Sequence, residues 1–92
     1  MSLYTFILDY TGRTYISQVE APNLAKAVLK WPDGLVTDEV KGFGPKTADI
    51  LKVRLAEDKP ILLSGLINTW CVTAIIRGRL ALIHIVKTER EL

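Results

Sequence analysis

Residues 60–88 read PILLSGLINTWCVTAIIRGRLALIHIVKT, a stretch without a single acidic side chain. A strand with one face in water alternates apolar and polar residues, whereas residues 70–76 and 80–86 are apolar at odd and even positions alike. A sheet built from them needs cover on both sides, by helices on one and by a second copy of the chain on the other. Arg77-Gly78 separates the two runs, and an X-Gly pair at that place predicts a two-residue hairpin turn, because glycine accepts positive φ. Ile76 then pairs with Arg79, and counting back sets Cys71 opposite His84. In that register Trp70, Val72, Ala74, Ile83 and Ile85 share one face. Cys71, Thr73, Ile75, Leu80, Leu82 and His84 share the other. Both faces stay open as partner surfaces at this stage, and the expected interface is Trp70, Val72, Ile75, Leu82, Ile83 and Ile85.

The N-terminal segment supplies a second hairpin. Residues 3–10 and 13–20 are rich in aromatic and β-branched side chains, and Thr11-Gly12 lies between them. Pairing Tyr10 with Arg13 gathers Tyr4, Phe6, Leu8, Tyr15 and Val19 on one face, the expected core side. A helix follows, opened by Pro22 or capped by Asn23. Leu24, Val28 and Trp31 form its apolar stripe, and Pro32-Asp33-Gly34 is expected to end it. Residues 35–40 leave room for one helical turn near Thr37. Residues 41–46 read as a loop in which Phe43 tucks into the core. Pro45 opens a second helix to about Glu57, with Ala48, Leu51 and Leu55 inward and Ile50 and Val53 beside them. A short strand at 61–63 and a connection at 64–69 lead to the C-terminal hairpin, and residues 88–92 form a polar tail. The expectation is one α+β domain over residues 1–92, with a mostly antiparallel sheet of four to five strands and two helices packed on one face, in the order ββααβββ.

Composition narrows the function classes. The chain has 92 residues, 49% of them hydrophobic, and a mean hydropathy of +0.23. That is rich for a small monomer, and surplus apolar surface on a small domain tends to become an interface. The net charge is only +2. A nucleic-acid binder usually gathers a basic face. The nearest to one here is the C-terminal hairpin, with Arg77, Arg79 and Lys87, and it defines the alternative reading, a small nucleic-acid-binding regulatory protein. One cysteine excludes an intrachain disulfide and fits a reducing, cytoplasmic setting. The opening MSLYTFILDY lacks a basic lead and soon meets Asp9, so it does not read as a secretory signal. The uncharged run 60–76 is shorter than the roughly 20 residues of a spanning helix and is interrupted by Pro60, Gly65 and Asn68, so no membrane span is expected.

Chemistry finds little support. Cys71 beside His84 is the one pair resembling a nucleophile and its base, but the surrounding stretch holds no acid to orient the imidazole. One Cys and one His cannot complete a tetrahedral metal site within one chain. Gly42-Phe43-Gly44-Pro45-Lys46 matches no phosphate-loop pattern, and Pro45 removes an N–H that would face an anion. No carboxylates converge at helical spacing. The expectation is a non-enzymatic module without a cofactor that self-associates as a homodimer or binds a protein partner.

The opening YTFILDYTGRTYISQVEAPNLAKAVLKW, less than a third of the chain, resembles in outline the start of small HicB-type antitoxins, which begin with two strands and a helix. Those proteins carry a Gly-Cys motif and an acidic helix start after a third strand. This chain has neither, so the resemblance transfers no function and no residue role.

Overall fold

The fold is described from a computed structural model covering residues 1–37 and 44–88. Strands β1 (Ser2–Tyr10) and β2 (Arg13–Ala21) form the first hairpin, with Tyr10 opposite Arg13 and Phe6 opposite Ser17. Helices α1 (Leu24–Thr37) and α2 (Pro45–Glu57) follow, then β3 (Ile61–Leu62), β4 (Thr69–Ile76) and β5 (Arg79–Thr88). All pairings are antiparallel, and the strands lie side by side in the order β2-β1-β5-β4-β3. The class is the expected α+β, and the chain order is ββααβββ. Both tight turns take the left-handed conformation at two successive positions: φ is 52° at Thr11 and 77° at Gly12, and 52° at Arg77 and 76° at Gly78. That backbone matches the right-handed twist of the flanking strands.

Strand parity decides the core. Tyr4, Phe6, Leu8 and Tyr10 of β1 are buried, with Ala81, Ile83 and Ile85 of β5 and Val72, Ala74 and Ile76 of β4. All lie on the helix side, with α1 over the β2 end of the sheet and α2 over the β4 end. Trp31 fixes α1 in place. Its ring stacks on Phe6 at 4.7 Å with 13° between planes, and its indole N–H donates to the Ser17 hydroxyl at 3.0 Å. Trp70 is half-buried at the rim of the same core, tilted against Tyr4 at 6.3 Å. The Tyr10 hydroxyl donates to the Ile76 carbonyl at 3.2 Å, tying the turn ends of the two hairpins together.

One open alternative is decided and two local expectations are corrected. Asn23, not Pro22, opens α1: its side-chain oxygen accepts from the Lys26 N–H at 2.9 Å. The helix does not end at residues 32–34 but runs through Pro32 to Thr37. An internal proline removes one backbone hydrogen bond, at about 3 kcal/mol or more. Here Trp31, Pro32 and Leu35 are all buried, and that burial holds the extra turn in place. The stripe of α2 is narrower than expected. Thr47, Ala48, Leu51 and Leu55 are buried, whereas Val53 and Ile50 are 56% and 36% exposed. Pro45 and Glu57 do bound that helix as anticipated. Between the helices, Lys52 Nζ meets Asp33 Oδ1 at 2.6 Å. Phe43 and the tail from residue 89 lie outside the described residues.

Candidate functional site

Side chains of opposite parity point away from the helices, and among the described residues no element packs over them. The registers line them up in rows across the strands. Ile16 of β2 faces Ile7 of β1, Ile7 faces His84 of β5, His84 faces Cys71 of β4, and Cys71 faces Ile61 of β3. This central row crosses all five strands, apolar except for one imidazole. The row toward the turns reads Thr14, Asp9, Leu82, Thr73, and beyond it Ile75 faces Leu80. The row on the other side reads Gln18, Thr5, Val86, Thr69, and the last reads Glu20, Leu3, Thr88.

Exposure follows position. The central Ile7, His84, Leu82 and Val86 are half-buried by their neighbours in the sheet. At the margins the apolar side chains stand in solvent, with Ile16 68%, Ile61 73%, Ile75 50% and Leu80 58% exposed. Five strands at about 4.8 Å and rows at twice the ~3.3 Å rise give a face of roughly 600 Å² before side-chain relief is counted. Among the described residues its charged side chains are Asp9 and Glu20, with no lysine or arginine.

The residues singled out from the sequence divide between two sides. Val72, Ile83 and Ile85 lie in the protein's own core, and Trp70 borders it. Burial under α1 and α2 removes Val72, Ile83 and Ile85 from a partner's reach, whereas Trp70 stays half-buried at the rim. Ile75 and Leu82 lie on the uncovered face, as do Cys71 and His84, which face each other in the counted register. The pair lacks an orienting acid. Asp9 lies diagonal to His84 across β1 and β5. Asp9 accepts instead from the Thr14 hydroxyl at 2.5 Å, on the side away from His84. Sequence reasoning missed that Asp9 and Ile7 share this face, because the β1–β5 pairing that brings them there joins residues from opposite ends of the chain. Among the described residues no group of three His, Cys, Asp or Glu side chains is placed to hold a metal ion.

The basic residues of the C-terminal hairpin do not form one patch. Arg77 and Arg79 flank one turn, and Lys87 lies at the opposite end of β5, eight residues or about 27 Å away. Arg13 instead joins the two arginines, since both hairpin turns fall at the same end of the sheet, two strand spacings or about 10 Å apart. No helix among the described residues is long and apolar enough to cross a membrane. Comparison of the chain with family models, with curated proteins and with solved structures found no match.

Proposed function

We propose that this protein is a non-enzymatic interaction module that forms a homodimer by packing the uncovered faces of two sheets together. The observation that carries the reading is the central row from Ile16 to Ile61, apolar across five strands except for His84 and, among the described residues, bare of helix cover. A specific interface buries about 800 Å² per partner. A face of roughly 600 Å² in projection, with side-chain relief added, comes into that range. Two such sheets stack about 10 Å apart, as in a β-sandwich. A second copy suits the face because each half brings the same mostly apolar central row, while Glu20 sits in the outermost row and Asp9, opposite Leu82 beside the central row, is exposed and already accepts from Thr14. The single cysteine fits the reducing cytoplasm for this module. A competing reading, phosphate contact by Arg13, Arg77 and Arg79, draws on their gathering at one end of the sheet.

Cys71 provides the test, because it is the only thiol and lies in the central row. Dimerisation through this face predicts that its alkylation slows as protein concentration rises, in step with the mass measured by light scattering. A mass of 10.3 kDa throughout the micromolar range overturns the dimer. A dimeric mass with a concentration-independent alkylation rate keeps self-association and moves it off this face.

A further inference from the structure

A second apolar surface lies on the far side of the molecule, between the first half of α1 and the end of α2. Val28 and Leu55 form its floor, Leu24, Leu29 and Pro60 its walls, and the cavity measures about 360 Å³. That lies within the ~300–1,000 Å³ typical of small-molecule sites. Ala25 of α1 and Ala56 of α2 are the smallest side chains in the lining, and they leave room that larger residues would occupy. Among the described residues, the charged side chains lining it are Lys52 and Lys59. The Lys52 ammonium is engaged by Asp33 at one end, so its stem serves as wall. Lys52 lies on α2, and Lys59 stands exposed two residues past the end of that helix, beside Pro60 in the lining.

An apolar trough with the exposed Lys59 in its lining and, among the described residues, no carboxylate there is complementary to an anionic amphiphile with one chain. We propose that the groove binds a free aliphatic carboxylate of medium chain length, with the chain between the helices and the carboxylate at Lys59. This site is independent of the sheet face and does not depend on dimerisation.

The test is an amide chemical-shift titration with decanoate below its micelle concentration, set against decyltrimethylammonium. Saturable shifts are expected around Leu24, Val28, Leu29 and Leu55, with decanoate bound several-fold more tightly than the cation. Lys59→Glu changes an exposed residue and leaves the fold intact. It is expected to weaken decanoate about five-fold, the scale of an exposed charge contact. Ala56→Leu fills the trough and is expected to weaken both probes at least ten-fold. Shifts on the sheet face, equal affinity for the two probes, or unchanged binding by Ala56→Leu each overturn the proposal. So does binding to phosphatidylglycerol vesicles without binding to monomeric decanoate, which would mark a membrane-surface contact. Concentration-dependent shifts in the groove without added probe would assign it to a second copy of the chain and equally overturn the proposal.

Discussion

Replacing Ile75 by threonine tests the dimer face at a position where the folded monomer has little to lose. Ile75 is 50% exposed and faces Leu80, itself 58% exposed, at the turn end of the uncovered face. Complete burial of an isoleucine side chain is worth about 2 kcal/mol, so the half still in water leaves about 1 kcal/mol for a partner to bury. A two-fold interface uses the position twice, so the dimer loses about 2 kcal/mol and its Kd rises about 30-fold. Threonine keeps the β-branched shape that strands favour, and the monomer's own stability should fall by less than about 1 kcal/mol. The assay is sedimentation equilibrium over a dilution series, with urea unfolding of the monomer as companion measurement. Val53→Thr is the control, since Val53 is 56% exposed but lies on α2, away from the face. If Ile75→Thr dimerises as tightly as the wild type, or Val53→Thr weakens the dimer equally, the reasoning is refuted.

Four further outcomes are expected. Trp31→Ala removes a side chain that is 1% exposed and stacked on Phe6, and chemical denaturation should register a loss of about 3–5 kcal/mol. Ser17→Ala leaves the buried indole N–H without its acceptor, and the same assay should show a smaller loss of about 1–3 kcal/mol with an unchanged fold by circular dichroism. Gly78→Ala meets no steric obstacle, since nothing lies within 4 Å of the added methyl, yet φ of 76° should make it destabilising by about 1–2 kcal/mol, read as a lower thermal midpoint. The hydrogen bond that the Lys52 ammonium donates to Asp33 holds it above its ordinary pKa of 10.5, so this contribution is complete below that pH and fades as pH rises through the raised value. Thermal melts between pH 9 and 11 should therefore decline less steeply in Asp33→Asn than in the wild type.

Much of the fold was readable because it rests on local rules. A two-residue turn at Thr11-Gly12 or Arg77-Gly78 fixes the register of its hairpin, and every pair counted outward from those turns holds. The bounds of α2 follow from Pro45 at its start and from Asp58-Lys59-Pro60 after its end. Reading failed where a distant contact outweighed a local preference. Pro32 is a helix breaker in isolation, but the pocket that takes Trp31 and Leu35 carries α1 past it. Val53 has the spacing of a core residue, yet the sheet lies under only one narrow side of α2. The candidate face was half legible: Cys71, His84, Ile75 and Leu82 were grouped correctly, whereas Ile7, Ile16 and Asp9 join them only through the pairing of β1 with β5.

The residues alone determined that two hairpins and two helices form, which side chains share a strand face, and that the C-terminal ribbon is apolar on both sides. Those are consequences of period and turn length, which act over a few neighbouring positions. Only the tertiary structure decided which of the ribbon's two nearly equivalent faces turned inward. The choice puts Val72, Ala74, Ile76, Ala81, Ile83 and Ile85 beside Phe6 under the helices, where α1 and α2 close the core with Trp31, Leu51 and Leu55. Packing of large rings against small and branched side chains is a property of the assembled layers, and no single segment contains it.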